Sequence, residues 1–427
     1  MRIFLKETNN AGLNAEEIKQ ALAQSLENRT LRNVLIIPPD FTRYHSNAGY
    51  ITNVYYHLLK DRGCHIDILP ALGTHEPMSQ KECEAMYGDI PFECFLVHNW
   101  RTDVVKLGEI PAEFMTKITE GLWNEPIGVE INRLVMDEKY DLILSPGQVV
   151  PHEVIGMANH SKNLFVGVGG SEMINKSHMV GAVFGMERMM GKDHTPVREM
   201  FDYSLKAFLS DRPILFVLTV TTAPGGNIHT HGLFIGDERD ALEAAIELAQ
   251  EKNIDFVDNG IKKCVVYLDP SEFKSTWLGN KAIYRTRMAI ADGGELIVLA
   301  PGVTKFGEDP IVDQLIRKYG YSGRLQVLEN FNAPENEDLR ANMGAAAHLI
   351  HGSSDGRFRI TYAVQEITQE EIAGVAFNPA SYAEMAKRYN PETLQYGWNT
   401  LADGEEIYYI PNPALGLWID RSRFESE

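Results

Sequence analysis

The chain has little cysteine, little positive charge and no long apolar run, and each shortage excludes a class of protein. Its four cysteines are scattered without a CxxC pair, which argues against a disulfide framework or a structural zinc site. The net charge of −19 argues against nucleic acid as a partner, because phosphate binding needs clustered lysine and arginine. No run of eighteen apolar residues occurs, and the N-terminus turns polar too soon for a signal peptide. We therefore expect a cytoplasmic protein without a membrane partner.

Length and patterning predict two domains. At 427 residues the chain is too long for one ordinary core. A helical pattern over residues 241–252 is followed by the charged, glycine-containing stretch 253–263, which has the composition of a boundary. We expect an N-terminal domain over residues 1–255 and a smaller C-terminal α/β domain over residues 260–427.

Short apolar runs alternate with amphipathic stretches along both parts, a pattern typical of α/β folds. In the first part, strands are predicted at residues 34–38, 66–70, 95–98, 142–144 and 164–167, with helices at 49–62 and 79–87 and Ser79 as an N-cap. In the second part, strands are predicted at 264–268 and 295–300, helices at 275–291 and 310–318, and weaker strands at 360–364, 374–377 and 406–410. The rhythm predicts a Rossmann-like, mostly parallel sheet with helices on both faces, whose ligands bind beyond the carboxyl ends of the strands.

Polar residues follow the first two predicted strands. Arg43 can place two N–H groups on a carboxylate or phosphate, and Asp40 can orient it. A turn with a surface Asp–Arg pair explains the same residues. After the second strand, Gly73 allows a ligand close to the backbone. His75 is then either a site residue or a loop-packing histidine.

Two further histidines, His98 and His152, lie near predicted strand ends. A lone histidine in such a place is more often structural. Together, however, two histidines at two strand ends can flank one substrate carbon. A racemase needs this arrangement, with one base for each enantiomer of the substrate.

The segment after His152 contains two more candidates, Lys162 and His178. A lysine amine can carry a covalent group, and an imidazole can bind a metal ion. Lys162 precedes an apolar run, which argues mildly against an ordinary surface lysine. His178 is equally well explained as a helix-cap or loop histidine. One HxH pair is a weak metal signal, so the roles of three other histidines stay open: His160, His229 and His231.

The second part contributes Lys281, near the start of a predicted helix. A helix N-terminus favours anions, and Lys281 can reach one from the first turns. The alternative is a solvated helix lysine.

Taken in order along the chain, these clusters resemble the nickel-pincer lactate racemase family and its wider group of 2-hydroxyacid racemases and epimerases, over about residues 30 to 310. The family's Asp-x-Thr-Arg motif matches residues 40–43, and its Leu-Gly-Thr-His motif matches 72–75. Its His-Asp-Trp motif matches 98–100, and its Pro-His motif matches 151–152. The tethering lysine, the metal-ligand histidine and the substrate lysine of the family match Lys162, His178 and Lys281.

The resemblance implies an isomerase, a 2-hydroxyacid racemase or epimerase that moves the hydride at C2 to a lysine-tethered cofactor. That cofactor is a nickel-pincer nucleotide, pyridinium-3-thioamide-5-thiocarboxylic acid mononucleotide with nickel. The resemblance makes Lys162 its tether and His178 the protein ligand of nickel, which accepts imidazole and sulfur ligands. The N-terminal domain becomes the catalytic and cofactor domain, over which the C-terminal domain closes.

The resemblance also assigns the remaining site residues. His98 and His152 become the paired acid and base, and Arg43 and Lys281 hold the substrate carboxylate. The cofactor-binding residues besides the tether are three: Asp40, Thr42 and His75. The implied partners are a small 2-hydroxyacid and the cofactor-biosynthesis enzymes, and a homo-oligomer is left open.

Several residues depart from the family pattern. Asn159, His160 and Ser161 replace its glycine-rich lead into the lysine. Other departures are Tyr44 for a proline, Asn99 for an aspartate and Leu278 for a glutamine that lies near substrate. We therefore expect a larger, more polar hydroxyacid, such as a sugar acid, rather than lactate.

Two other classes of function compete with this one. A metal-dependent hydrolase would use His75, His98, His152 and His178 without a tethered cofactor, although the chain lacks HExxH and an acidic ligand cluster. A non-catalytic hydroxyacid-binding protein would keep Arg43 and Lys281. It would have no need of Lys162.

Overall fold

The computed structural model describes residues 2–7 and 11–425, which form two compact units. The first unit contains the described residues up to Ser177 together with Met190–Asn253. The second contains His178–Met189 together with the described residues from Ile254 onward. Segment 178–189 therefore groups with the second unit. Within the described part of the chain, no helix has the length and apolar character needed to cross a membrane.

The first unit contains strands and helices in alternation. Its strands are β1 (Arg2–Lys6), β2 (Asn33–Ile36), β3 (His65–Ile68), β4 (Val104–Ile110), β5 (Ile127–Asn132), β6 (Leu142–Gln148), β7 (Pro151–His152), β8 (Gly156–Met157), β9 (Ile214–Thr222) and β10 (His229–Gly236). Its helices are α1 (Ala15–Ser25), α2 (Ala48–Lys60), α3 (Gln80–Tyr87), α4 (Ala112–Ile118), α5 (Ser171–Phe184, which continues into the second unit from His178), α6 (Pro196–Phe208) and α7 (Asp240–Asn253).

Six of these strands form one sheet in the order β1-β10-β9-β6-β2-β3. The pairs from β9 to β3 are parallel, whereas β1 and β10 pair antiparallel at one edge. The apolar side chains of β2 and β3 pack with those of α1, α2 and α3 in one core. This confirms the predicted α/β class with a mostly parallel sheet.

The second unit has a parallel-rich sheet of its own. Its strands are β11 (Asp255–Val257), β12 (Ile261–Tyr267), β13 (Ile290–Ala300), β14 (Arg359–Val364), β15 (Asn378–Ser381), β16 (Gly397–Thr400), β17 (Glu406–Ile410) and β18 (Trp418–Asp420). Six of them form a sheet in the order β15-β14-β13-β12-β17-β16, in which only the β16–β17 pair is antiparallel. Its helices are α8 (Thr276–Gly279), α9 (Lys281–Tyr284), α10 (Pro310–Tyr319), α11 (Arg324–Asn332), α12 (Glu337–Arg340), α13 (Met343–His351), α14 (Gln369–Gly374), α15 (Tyr382–Arg388) and α16 (Arg421–Glu425).

Local sequence explains where several helices begin. The Ser79 hydroxyl oxygen accepts a hydrogen bond from the Glu82 N–H, and the Glu82 carboxylate accepts one from the Ser79 N–H. This capping box confirms the predicted N-cap of α3. Asn14 and Glu17 form the same arrangement at the start of α1.

Four of the predicted elements are wrong. Residues 164–167 lie in a π-helix (Asn163–Gly167) rather than a strand, and of residues 95–98 only Phe95 makes a single bridge to Ile68. Residues 374–377 end α14 and precede β15 instead of forming a strand. The long helix predicted at 275–291 is two short helices, Thr276–Gly279 and Lys281–Tyr284, and Ile290 already belongs to β13. Short apolar runs fit a strand and a buried helical turn equally well, so periodicity alone cannot separate them.

Candidate functional site

The carboxyl ends of β2 and β3 bring the first two polar clusters together. A parallel bridge between Pro39 and Ala71 extends the strand pairing into both loops. As a result, the Asp40 carboxylate accepts hydrogen bonds from Nδ1 of His75 and from Oγ1 of Thr42, each at 2.5 Å. Burial of Asp40 would raise the pKa of its carboxyl group. The hydrogen bonds from His75 and Thr42, with the positive charges of His75 and Arg43, outweigh burial and lower that pKa.

Lys162 lies in an unusual backbone segment next to these loops. The short β7–β8 hairpin leads into Asn159 and His160, both left-handed with φ of 69° and 58°. The π-helix starts directly after Lys162, and the carbonyl of Gly167 at its end accepts a hydrogen bond from the Gly73 N–H at 2.8 Å. Left-handed residues and π-helical turns are both enriched at functional sites.

The amine of Lys162 has a pKa lowered to about 8. Burial is the largest cause, and the positive charges of Arg43 and Arg198 add to it, while Glu153 and Asp40 oppose it. The accessible surface leaves the side chain partly buried rather than fully enclosed. At neutral pH roughly a tenth of the amine is therefore unprotonated, far more than for an ordinary lysine. An unprotonated amine is a nucleophile.

The two candidate acid–base histidines are buried and hydrogen-bonded to the protein. His98 donates from Nε2 to the Gly169 carbonyl at 3.0 Å and accepts at Nδ1 from the Asn132 amide at 3.0 Å. Burial lowers the pKa of His98. His152 accepts at Nδ1 from the Val154 N–H at 3.1 Å. Both neutral rings therefore carry their proton on Nε2.

His160, which the sequence left open, is a buried neutral ring. It is 2% exposed, and its ring lies 3.8 Å from that of Phe216 between centroids. Neither ring nitrogen has a hydrogen-bond partner. Burial, with the charges of Arg198 and Arg239, holds the pKa of His160 far below its usual value.

The remaining open histidines, His229 and His231, lie on β10. Nδ1 of His229 contacts the Ala11 carbonyl at 3.2 Å, and Nε2 of His231 contacts Oγ1 of Thr222 at 2.8 Å. Across residues 2–7 and 11–425, one group of three metal-ligating side chains lies close enough to share an ion. It consists of exposed or partly buried residues outside every predicted site: Asp193, His194 and Glu243. His75, His98 and His152 thus form no metal site in the first unit, and the hydrolase hypothesis gains no support.

Two predicted site residues belong to the second unit. His178 is half-buried in the middle of α5, so the interpretation of it as a cap or loop histidine is wrong. Lys281 is the first residue of α9, and its ammonium lies 5.8 Å from the centre of the Phe273 ring.

Two residues that touch the candidate site went unrecognised in the sequence. Asn132 holds the ring of His98, and Arg198 hydrogen-bonds the backbone before Lys162. Arg198 stands four residues before Asp202 on α6, a spacing typical of a solvent-exposed ion pair. The signal that could have found it is its place on the apolar stripe of α6 beside Val197 and Phe201.

This chain is similar to known proteins in sequence and in fold. Residues 2–190 match the family model described as the lactate racemase N-terminal domain. A protein of known structure from Thermotoga maritima is similar, with 22% identity, a TM-score of 0.78, and coverage of 97% of this chain and 99% of that one. The lactate racemase apoprotein from Thermoanaerobacterium thermosaccharolyticum is similar at 16% identity with a TM-score of 0.69, covering 97% and 94%. These two similarities show the fold. Among curated proteins none matches significantly.

Proposed function

We propose that this chain, whose residues 2–190 match the lactate racemase N-terminal domain, racemises or epimerises a 2-hydroxyacid at C2. The observation that carries this proposal is the Lys162 amine. It is partly buried, lies among Arg43 and Asp40, and has a pKa lowered to about 8. A binding protein has no need of such an amine, whereas covalent chemistry requires one.

The residues present fit a lysine-tethered nickel-pincer nucleotide. An amine with a lowered pKa is suited to form the amide-type link, and the hydrogen-bonded Asp40, Thr42 and His75 lie on the loops beside it. His178 supplies an imidazole of the kind nickel accepts. When bound, such a group supplies an acceptor for the hydride from C2 of the substrate.

The chain's own residues bind the substrate and move its hydroxyl proton. Arg43 and Lys281 hold the carboxylate, since a guanidinium and an ammonium both pair with it. In the resting site, His98 and His152 carry a proton at Nε2 and accept protein hydrogen bonds at Nδ1. The ring that acts as the base takes the hydroxyl proton of the substrate and returns it when the product forms. Either ring can accept a proton at Nδ1 only after it releases the hydrogen bond from Asn132 or Val154.

The substrate in this proposal is a larger, more polar 2-hydroxyacid, such as a sugar acid. Support comes from Phe41 and Tyr44, two partly exposed aromatic side chains that flank the Arg43 motif with ring centroids 5.6 Å apart. A proline in place of Tyr44 would offer no such surface. Aromatic faces pack against the C–H faces of polyhydroxylated chains while leaving their hydroxyls in water.

The test uses protein produced together with the cofactor-biosynthesis enzymes. Intact-mass and peptide analysis should find an added mass on Lys162, and none in a Lys162→Ala variant produced in the same way. The loaded protein should interconvert the two hands of one or more sugar acids in a panel of chiral 2-hydroxyacids. Absence of the adduct under these conditions would refute the cofactor, and turnover of lactate alone would refute the substrate class.

A further inference from the structure

Arg198 is a fully buried cation whose hydrogen bonds converge on the backbone just before Lys162. Its side chain is 1% exposed and lies on α6. We propose that Arg198 is a positioning residue that holds the turn at Asn159 and His160 and thereby presents the Lys162 amine. The significance of that amine rests on the proposed function, but the positioning itself does not.

The guanidinium of Arg198 uses both terminal nitrogens on this turn. Nη2 donates to the Met157 carbonyl at 2.6 Å and to the Asn159 carbonyl at 3.2 Å. Nη1 donates to the same Asn159 carbonyl at 3.2 Å and to Oγ of Ser161 at 2.9 Å. A planar fork with several bonds in fixed geometry holds a backbone in a way that a lysine ammonium cannot.

The turn needs such support because its backbone is strained. Asn159 and His160 are consecutive left-handed residues without the freedom of glycine, and L-residues hold this conformation only at a cost in free energy. The Asn159 side chain accepts the His160 N–H at 2.6 Å. Gly147 makes room for that side chain, since a Cβ there would lie 1.8 Å from Nδ2 of Asn159. Without the Arg198 fork, the two residues are expected to relax and move Lys162.

The buried charge of Arg198 is balanced by a network that also reaches the turn. Asp202 lies 4.0 Å from the guanidinium and accepts a hydrogen bond from Ser161 at 2.7 Å. Arg239 binds Asp202 at 3.0 Å and also pairs with Asp193 through two nitrogens. Buried cations persist only when paired and hydrogen-bonded in this way. The network fixes Arg198 in place while leaving its fork on the turn.

Arg198 also acts on Lys162 through its charge. Arg198 and Arg43 both lower the pKa of the amine in addition to burial, whereas Glu153 and Asp40 raise it. Removal of Arg198 should therefore raise the pKa of Lys162. Each half unit of increase reduces the unprotonated fraction at pH 7 about threefold.

The experiment measures the acetylation rate of Lys162 by acetic anhydride in the apoprotein as a function of pH, using peptide mass spectrometry. The midpoint of the profile gives the pKa of the amine, and the plateau at high pH gives its accessibility. Arg198→Met removes fork and charge, and Arg198→Lys keeps the charge alone. Arg212→Met is the matched control, because Arg212 also binds two carbonyls, those of Val135 and Asp137. Thermal melting checks that each variant is folded.

Arg198→Met should shift the midpoint above 8 and change the plateau, and Arg198→Lys should change the plateau with a smaller shift of the midpoint. Both variants should lower the fraction of chains that acquire the cofactor mass, while Arg212→Met matches the wild type.

A wild-type plateau and wild-type cofactor loading in Arg198→Lys would overturn the proposal, even if Arg198→Met fails to fold. Lack of cofactor loading in the wild type as well would count against the proposed function alone, because the acetylation profile still tests the role of Arg198.

Discussion

The Nδ2 group of Asn132 donates a hydrogen bond to Nδ1 of His98 over 3.0 Å. The orientation of this amide is fixed, because its Oδ1 accepts the backbone N–H of Leu134 at 3.0 Å. The opposite side of the His98 ring donates to the Gly169 carbonyl. His98 is therefore held neutral in one tautomer. A proton on Nδ1 would point at the Nδ2 group of Asn132, which is also a donor, and the two would repel.

Asn132→Asp should reverse this preference. A carboxylate keeps the bond from Leu134 but can only accept from His98, so it favours a proton on Nδ1 and stabilises the imidazolium. We expect the pKa of His98 to rise by one unit or more, on the order of a carboxylate–histidine pair. Nitrogen-15 NMR of the two ring nitrogens during a pH titration measures both the tautomer and the pKa.

Asn99→Asp is the control for that titration. It adds the same charge next to His98 in sequence, but the Asn99 side chain accepts the Arg101 N–H and does not bind the ring. The His98 tautomer should stay as in the wild type. Equal titration curves for wild type and Asn132→Asp would show that the amide does not control His98.

Asp40→Asn tests the hydrogen-bonded carboxylate at the end of β2. The change replaces an acceptor of the bonds from His75 and Thr42, and a loss of about 1 to 3 kcal/mol in the free energy of unfolding is expected. The pKa of Asp40 is lowered in the folded state, so its contribution is full above the unfolded value of about 3.9 and disappears as the pH falls through the folded value. Urea denaturation should show a full difference at pH 7 that shrinks below pH 4.

Asp89→Asn is the comparison for this prediction. Asp89 is an exposed carboxylate that also accepts hydrogen bonds, from Asn53 and His57. Its removal should cost clearly less than that of Asp40, since solvent screens exposed pairs. An Asp40→Asn loss no larger than the Asp89→Asn loss would contradict a structural role for the carboxylate.

Local sequence signals predicted the parallel core of the first unit but not its antiparallel edge. β2 and the first half of β6 are short apolar runs, which is the pattern of strands buried on both faces, whereas β3 alternates polar and apolar residues. β1 and β10 are separated by more than 200 residues of sequence, so no local sequence pattern predicts that they pair. Their detection needs the tertiary contacts that the fold itself creates.

The site could be predicted where motif residues follow strands and not where backbone strain sets the geometry. Asp40 and His75 meet because their strands are parallel neighbours, which the rhythm of the sequence already indicated. The left-handed turn at Asn159 and His160 has only a weak signal in residue type, since asparagine and histidine adopt this conformation more often than most residues but far less readily than glycine. The turn is stabilised by the hydrogen bonds from Arg198 and by the space that Gly147 leaves for the Asn159 side chain.

Gly169→Ala should destabilise the junction after the π-helix. A Cβ at this position would lie 1.8 Å from the carbonyl oxygen of Phe165, which is backbone and cannot swing away. A loss of about 1 to 3 kcal/mol in unfolding free energy is expected from such overpacking, together with a perturbed His98, whose Nε2 binds the Gly169 carbonyl. Gly374→Ala, where a Cβ meets open space, should leave stability nearly unchanged. Equal denaturation midpoints for the two variants would contradict the clash.

Lys162→Met should stabilise the apoprotein near neutral pH, because the folded state holds a protonated amine where charge is disfavoured. The pKa of Lys162 is about 8 in the folded state, against about 10.4 in an unfolded chain. Between these values the unfolded state binds more protons, so the wild type gains stability as the pH rises through this window. The gain of the variant in unfolding free energy should be about 1 to 3 kcal/mol at pH 7, since the amine keeps part of its solvation, and it should fade by pH 10.

Lys139→Met is the control. It removes an exposed lysine that pairs with Asp67 and should give no such gain. Urea denaturation at pH 7 and pH 10 measures the free energy of unfolding of both variants. If the gain for Lys162→Met did not depend on pH, it would come from side-chain packing and not from the charge of the amine.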